Sequence, residues 1–327
     1  MPIAVYPGLA LTGAQVRDVV NSSQAQFEAQ SALRSRYRTP FALSAMDLSA
    51  EAEAFGCALH CSDHEIPSVT GRLVTSREQA EALPMPRPGD RRTRVYLETV
   101  SLLRHYHPDA LVLGGCIGPF SLAARLAGVS EALELTATEP DLMHLLLEKS
   151  ARFLADYARA FRQAGADGLL MAEPAAGLLS PRGMREFSSA YIRSIAAEAA
   201  DPGFFIILHN CAAKVLHLPA VFETGLKAFH FGAPMDMRAA LEQSPKDVVL
   251  CGNLDPTGVF VQSSPEEVGR QTRQLLEVTR SWPNFVISSG CDVPPAAPLV
   301  NLDAFFAAVA AGQAHSWLDA VRDGAQA

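Results

Sequence analysis

Residues 204–211 have the sequence Phe-Phe-Ile-Ile-Leu-His-Asn-Cys, an apolar run that ends in polar, loop-forming residues. A short apolar run between turn signals is typical of a strand that is buried on both faces. Similar runs occur in six other places, at residues 41–45, 110–113, 168–171, 228–231, 248–251 and 285–287. With residues 204–208, they predict seven short buried strands.

Amphipathic stretches of helical period lie between most of these strands. The clearest begins at Thr138, whose hydroxyl can cap it with Asp141 three residues on, and it ends at Gly165. Two others cover residues 181–200 and 265–280. Strands that alternate with helices predict parallel pairing.

Polar, metal-binding or loop-forming residues follow each predicted strand, for example Gly114-Gly-Cys and Gly252-Asn-Leu-Asp-Pro. A (β/α)8 barrel is built in this way, with its site at the C-terminal ends of the strands. A doubly wound open sheet is the alternative, but no Gly-x-Gly-x-x-Gly follows the first strand. We predict an α/β fold with a single (β/α)8 TIM barrel over residues 39–327. Residues 1–38 are predicted to form a polar, helical lead-in.

The composition excludes several classes of protein. The 327 residues carry a net charge of −8, which argues against binding to nucleic acid. Six scattered cysteines indicate reduced thiols in a cytoplasmic enzyme rather than a disulfide framework. The N-terminus does not resemble a secretory signal, and no apolar run approaches the roughly 20 residues of a membrane span. We expect a soluble, cytoplasmic protein.

His209, Cys211 and Cys291 are candidate metal ligands. Side chains at positions i and i+2 of an extended segment point to the same side, so His209 and Cys211 can converge. Cys291 follows another strand, in Ser288-Ser-Gly-Cys, and would complete a Cys2His set that suits Zn²⁺ and leaves a fourth position open. The alternative is that these are a hydrogen-bonded core histidine and buried thiols.

Four other possible ligands, Cys57, His60, Cys61 and His64, lie within eight residues. This segment is a second candidate zinc site. It is disfavoured because His60 and Cys61 are adjacent and face opposite ways in an extended segment.

Asp47 and Glu173 are candidate catalytic carboxylates because each directly follows an apolar strand. Catalytic residues of barrels come from strand ends, so both acids are expected to line the barrel mouth. The alternative is that they are solvated surface acids.

Several motifs together resemble the uroporphyrinogen decarboxylase superfamily. The resemblance covers the chain from about residue 38 and rests on residues 41–57, Gly118-Pro-Phe, Glu173-Pro with Leu179-Ser-Pro, Gly252-Asn-Leu-Asp-Pro and Gly290-Cys-Asp-Val-Pro-Pro. Decarboxylases proper carry an arginine-containing N-terminal Met-Arg-Gln-Ala-Gly-Arg-Tyr, where this chain has Tyr6-Pro-Gly-Leu-Ala-Leu. They also tend to have Gly-His-Gly in place of Gly290-Cys291-Asp292.

These departures make the chain similar to the zinc-dependent corrinoid methyltransferases of the superfamily. That resemblance implies that His209, Cys211 and Cys291 bind zinc, and that a thiol such as coenzyme M exchanges a methyl group with methylcobalamin. It leaves Glu173 as either a fourth zinc ligand or a base. Asp47 matches the catalytic aspartate of the decarboxylases and would orient a polar group of the substrate.

The corrinoid is expected on a separate partner protein, because no Asp-x-His-x-x-Gly cobalamin signature is present. Three alternatives are open. The enzyme could transfer methyl groups from a methoxy or methylated compound to the corrinoid. It could be a metal-free decarboxylase-like lyase, or a corrinoid-protein-binding module without catalysis. The sequence does not identify the methyl acceptor, the direction of transfer or the oligomeric state.

Overall fold

A seven-stranded parallel sheet forms the centre of the fold. The computed structural model describes residues 1–199 and 203–324, with side chains described up to residue 312. The strands are β1 (Phe41–Leu43), β4 (Leu111–Ile117), β5 (Gly168–Ala172), β6 (Phe205–Asn210), β7 (Ala228–Phe231), β8 (Val249–Leu254) and β9 (Phe285–Ser289). They are ordered β1-β4-β5-β6-β7-β8-β9, and each neighbouring pair is parallel. A small antiparallel hairpin, β2 (Ala58–His60) and β3 (Ser68–Thr70), is separate from this sheet.

Helices connect the strands and cover the sheet. The α-helices are α1 (Leu9–Thr12), α2 (Val16–Asn21), α3 (Ser23–Tyr37), α4 (Ala50–Phe55), α5 (Arg77–Ala82), α6 (Thr93–Tyr106), α7 (Pro119–Ala127), α8 (Val129–Thr138), α9 (Pro140–Gln163), α10 (Pro181–Met184), α11 (Ala190–Ala199), α12 (Leu218–Phe222), α13 (Met237–Gln243), α14 (Pro265–Thr279) and α15 (Leu299–Gly324). Short 3-10 turns lie at Tyr6–Gly8, Pro174–Leu178 and Val215–His217, and a π-turn at Arg185–Ser189 joins α10 to α11. None of the described helices is both long enough and apolar enough to cross a membrane.

All seven predicted strands are present, and their parallel pairing is confirmed. The main error lies at their C-terminal ends. β4 continues to Ile117, and β6 continues through His209 and Asn210. Pairing with the next strand extends them, since His209 pairs with His230 and Asn210 with Phe231. The polar residues at these strand ends therefore belong to the strands and not to the loops that follow.

The sheet has seven strands in the described chain, where the predicted barrel has eight. The first residues of the chain lie along β9. Ile3 forms a parallel bridge with Asp292, and its N–H donates to Ser289 Oγ at 3.0 Å. Ile3 also belongs to a buried apolar cluster that includes Leu43 of β1 and Leu113 of β4. The start of the predicted lead-in thus packs with the sheet, because its apolar side chain is buried there.

The helices of the lead-in are confirmed as α1, α2 and α3. The predicted start at Thr138 is wrong, because Thr138 is the last residue of α8 and α9 begins at Pro140. Proline is well suited to the first position of a helix, since its missing N–H has no partner there anyway. The predicted end is close, as α9 ends at Gln163 and Gly165 follows with a φ of 99°.

The other two predicted helices are present with small changes. Residues 181–199 form α10, the π-turn and α11, while residue 200 lies outside the described ranges. The third predicted helix is α14, whose first turn is capped by Ser264 Oγ accepting from the N–H of Glu267 at 3.4 Å.

The alternation of side chains along the strands divides the core into two layers. One face carries a compact cluster of aliphatic side chains from β1, β4, β5 and β6, including Leu113, Leu170 and Ile207. The other face packs against the helices in a much larger cluster that includes Phe153 and Phe161 of α9. His209 is two residues beyond Ile207, so it shares the face of the compact cluster and lies at the C-terminal end of the sheet.

Candidate metal centre

Three soft metal-binding side chains meet at the C-terminal ends of β6 and β9. His209 is near the end of β6, Cys211 directly follows that strand, and Cys291 follows β9 by two residues. One donor atom from each residue lies within 4.8 Å of the other two. Among the side chains that the structure describes, in residues 1–199 and 203–312, this is the single group of three or more His, Cys, Asp or Glu that meets such a distance. The fold thus brings together the three residues that the sequence suggested as ligands.

The second candidate zinc site is not assembled. Cys57, His60, Cys61 and His64 form no comparable group in the described part of the chain. Cys57 is buried, with its thiol 3.9 Å from the backbone oxygen of Arg125, whereas Cys61 is exposed. The two cysteines of this segment are thus in different environments, one in the core and one at the surface.

A side-chain turn fixes the backbone around Cys211. The amide oxygen of Asn210 accepts from the N–H groups of Ala212 and Ala213, at 3.1 and 2.9 Å. Asparagine commonly forms turns of this kind with the backbone that follows it. The residue between His209 and Cys211 therefore holds the chain where β6 ends.

Two glycines allow the loops beside the cysteines to pack closely. A Cβ atom on Gly232 would lie 2.2 Å from the backbone oxygen of Cys211. A Cβ atom on Gly290 would lie 2.8 Å from the backbone nitrogen of Ala233. Backbone contacts of this length exclude any side chain, so glycine is required at both positions. The loop after β7 thus supports the segments that carry both thiols.

His209 presents a ring nitrogen that has no hydrogen-bond partner. Its side chain is buried, Nδ1 lies 2.9 Å from Nδ1 of His230, and Nε2 is buried without a partner. Burial and the neighbouring His209 ring lower the pKa of His230 well below its ordinary value. A buried polar atom without a partner is costly, and a metal bound at Nε2 would satisfy it. With two thiols beside it, the donor set fits Zn²⁺ with an open fourth position.

The thiols of Cys211 and Cys291 lie within 4.8 Å of each other and shift each other's pKa. Their interaction lowers the pKa of Cys211 to about 7, while the same interaction and burial raise the pKa of Cys291, against His209, which lowers it. The thiol of Cys211 therefore loses its proton more readily than that of Cys291. A divalent cation would favour loss of both protons, because coordinating thiols are deprotonated.

Glu173 directly follows β5 and is buried. Its carboxylate accepts from the N–H of Phe120 at 3.0 Å, and from the N–H and hydroxyl of Ser121 at 2.6 and 2.5 Å. These donors form the first turn of α7, where the helix dipole favours negative charge. Burial nevertheless raises the pKa of Glu173 to about 7, against these hydrogen bonds and one from Ser188 in the π-turn. Glu173 is not in the three-donor group, and its role as ligand or base stays a prediction.

Asp47 is buried and fully engaged, so it is not a solvated surface acid. It pairs with Arg92, and it accepts from Tyr96 Oη at 2.8 Å and from the hydroxyl of Ser49 at 2.6 Å. Arg92 also reaches Glu53 at 2.7 Å. The carboxylate therefore anchors the loop after β1, and its catalytic role stays a prediction. No sequence motif indicated Arg92 as the partner of Asp47.

Glu51 is a buried acid near this network that sequence reasoning missed. Its side chain is 1% exposed; Oε1 accepts from the N–H of Ile117 at 3.0 Å, and Oε2 is buried with no partner. Burial raises its pKa to about 8. The sequence signal was misleading, because an acid in the first turn of α4 is expected to face solvent.

Replacing Glu51 should change stability in a way that depends on pH. Folding raises the pKa from 4.5 to about 8, so the native state holds this proton more tightly and stability falls as pH rises through this range. Glu51→Gln removes the ionisation and keeps the acceptor for Ile117. We expect the free energy of unfolding to rise by on the order of 2 kcal/mol at pH 9, with little change at pH 5. Urea unfolding at both pH values measures this, and the same change at both would contradict it; the exposed Glu134→Gln is the control.

Comparison with known proteins agrees with the family resemblance that the sequence motifs indicated. The chain matches the uroporphyrinogen decarboxylase (URO-D) family over residues 8–312. It is 27% identical to the methylcobamide:CoM methyltransferase MtbA of Methanosarcina acetivorans over 269 residues, covering 81% of this chain and 76% of the relative. It is 29% identical to a methylated-thiol–coenzyme M methyltransferase of Methanosarcina mazei over 263 residues, covering 79% and 69%.

The fold has a close match among solved structures. A methyltransferase from Methanosarcina mazei superposes with a TM-score of 0.85 at 22% identity, over 94% of this chain and 90% of that one. This likeness supports the α/β architecture. The family match extends over nearly the whole chain and includes every strand of the sheet. The chain therefore belongs to the uroporphyrinogen decarboxylase family.

Proposed function

We propose that this enzyme is a zinc-dependent methyltransferase that moves a methyl group between a corrinoid (methylcobalamin) protein and a zinc-activated thiol such as coenzyme M. The observation that carries the proposal is the meeting of His209, Cys211 and Cys291 around a buried Nε2 that has no hydrogen-bond partner. Relatives named as methyltransferases that act on coenzyme M support it. A decarboxylation would make no use of two thiols and a histidine in this arrangement.

Each candidate side chain would have a separate role in the reaction. His209, Cys211 and Cys291 would hold zinc, which when bound keeps a coordinated thiol deprotonated and therefore nucleophilic at neutral pH. Glu173, with a pKa raised to about 7, is suited to accept the proton that the thiol loses. The engagement of both its oxygens by α7 favours this role over that of a fourth ligand. Asp47 and Arg92 would hold the loop after β1 against the substrate.

The corrinoid would be delivered by a separate protein that docks over the C-terminal ends of the strands. We also propose that the sheet closes as a (β/α)8-type barrel, with the N-terminal segment in the place of an eighth strand. The contacts of Ile3 with β9 and its burial with Leu43 support this. The division into a lead-in over residues 1–38 and a catalytic domain over residues 39–327 is part of the same proposal; residues 200–202 and 325–327 lie outside the described ranges.

Two rival functions differ in their need for metal. Transfer from a methoxy or methylated compound to the corrinoid would use the same zinc site, and the relative named for methylated thiols favours it as the second candidate. A uroporphyrinogen decarboxylase-like lyase would need no metal, and the family name makes it the third.

A demethylation assay separates these functions. Zinc-loaded protein is mixed with free methylcobalamin and one thiol at a time, including coenzyme M, and loss of the methylcobalamin absorbance is followed. We expect at least a tenfold acceleration by one thiol, its loss after treatment with a chelator and its return with added zinc. Methylation of cobalamin from a methylated compound alone would favour the second candidate. Decarboxylation of uroporphyrinogen at equal rates with and without metal would contradict the proposal.

A further inference from the structure

Resting on the proposed function, we propose that His230, held in place by Ser288, is a positioning residue that fixes the tautomer and the ring orientation of His209. Its hydrogen bond to Nδ1 of His209 would leave the lone pair of Nε2 directed at the metal. The sequence analysis proposed no role for His230 or Ser288, and neither belongs to the three-donor group.

The side chains of His209, His230 and Ser288 form a chain of hydrogen bonds that begins at the candidate metal centre. His209 Nδ1 and His230 Nδ1 are 2.9 Å apart, and His230 Nε2 and Ser288 Oγ are 2.8 Å apart. His230 and Ser288 are both completely buried, and His209 is 2% exposed. Water therefore does not compete for these bonds, and each polar atom depends on the partner that the fold provides.

The register of the sheet explains why these residues meet. His209 of β6 is the direct partner of His230 of β7. In a parallel pair, residues in register point their side chains to the same face, so the two rings stand side by side. Ser288 lies on β9, two strands away from β7 in the sheet, and its side chain points to the same face as the two rings. Side chains on one face of a strand recur at every second residue. The contact between His209, His230 and Ser288 could therefore be predicted from the sequence if the pairing register were known.

Proton positions follow once His209 binds a metal through Nε2. The remaining proton must then lie on Nδ1, which makes His209 the donor and His230 Nδ1 the acceptor. His230 then carries its own proton on Nε2 and donates it to Ser288 Oγ. The serine hydroxyl in turn donates to the backbone oxygen of Met1. Every bond in the chain has one direction, because the backbone oxygen of Met1 can only accept. Reversing the bond between the two histidines would place the proton of neutral His209 on Nε2.

A hydrogen-bond acceptor for the second ring N–H of a metal-bound histidine increases the affinity of the site for the metal. Metal-bound histidines almost always donate their second ring N–H, and loss of that partner typically lowers metal affinity about 10- to 100-fold. A neutral imidazole in this position also adds no charge to a site with two thiolates. Zn²⁺ with Cys211, Cys291 and neutral His209 then has no net charge before substrate binds.

The test is the zinc dissociation constant of purified variants, measured by competition with a chromophoric chelator. His230→Phe removes the acceptor, and we expect zinc to bind about 10- to 100-fold more weakly. His230→Gln retains a side-chain acceptor and should fall between wild type and His230→Phe. The control is His144→Phe, the same exchange at a half-buried histidine that bonds to Tyr191, 2.7 Å away. It should leave the zinc constant unchanged.

A second readout separates positioning from a general packing effect. The visible spectrum of the Co²⁺-substituted protein reports the ligand geometry, and it should shift in His230→Phe and stay unchanged in His144→Phe. Wild-type affinity in His230→Phe would overturn the inference. If that variant does not fold, Ser288→Ala is decisive: about threefold weaker zinc binding supports the inference, and unchanged binding overturns it. Wild-type protein that binds zinc but transfers no methyl group would overturn the proposed function alone.

Discussion

Cys291→Ser is expected to lose most of its zinc and at least about 99% of its methyl transfer activity. A serine hydroxyl stays protonated where a thiol coordinates as a thiolate, so the site would keep only two of its three protein ligands. The donor atoms of the remaining two ligands, His209 and Cys211, are close together. Two protein ligands alone, however, are too few to hold zinc in this site. Zinc content by atomic emission and methylcobalamin demethylation measure the two losses in one preparation.

The matched control is Cys61→Ser. Cys61 is exposed and lies outside the three-donor group, so this variant should keep both zinc and activity. Full zinc and full activity in Cys291→Ser would remove Cys291 from the site and contradict the ligand assignment. Loss of activity with full zinc would limit Cys291 to a role in substrate binding and would also contradict it.

Gly232→Ala is expected to weaken zinc binding by at least about tenfold and to destabilise the fold by about 1–3 kcal/mol. The added methyl group would lie 2.2 Å from the backbone oxygen and 2.7 Å from the Cα atom of Cys211. Because both contacts are with backbone, the clash cannot be relieved by a side-chain rotation. The segment that carries Cys211 must shift, and a soft-metal site tolerates only small changes in ligand distance.

Gly183→Ala is the control for this exchange. A Cβ atom at Gly183 would have its nearest neighbour at 3.4 Å, which is an ordinary contact. This variant should therefore bind zinc like the wild type. Chelator competition and urea unfolding of both variants provide the comparison. Equal zinc affinity in Gly232→Ala and Gly183→Ala would show that the loop after β7 does not support the site.

Much of the fold could be predicted from apolar patterning. Each of the seven runs forms a strand, because fully buried parallel strands are almost continuously apolar. Their ends were less predictable. His209 and Asn210 belong to β6 because β7 pairs with them, and that pairing depends on a register that a single sequence does not contain. The contact of Ile3 with Asp292 joins residues at opposite ends of the chain and has no local signal.

The candidate site was predictable to the extent that its residues have distinctive chemistry. His209, Cys211 and Cys291 stood out because soft ligands followed apolar strands. His230 and Glu51 did not, since a histidine inside a strand and an acid at the start of a helix are common and their partners come from other elements. Thr138 was misplaced because its local capping pattern was outweighed by Pro140. Local chemistry indicated the ligands, whereas the partners that position them depend on tertiary structure.

The central claim is that His209, Cys211 and Cys291 together bind zinc. Zinc K-edge X-ray absorption of the purified wild-type protein tests it most directly, since it counts the scatterers around the metal and gives their distances. We expect one zinc per chain, with two sulfur scatterers at about 2.3 Å and one nitrogen scatterer at about 2.0–2.1 Å. Protein without zinc after growth with ample metal, or zinc surrounded only by nitrogen and oxygen, would contradict the claim.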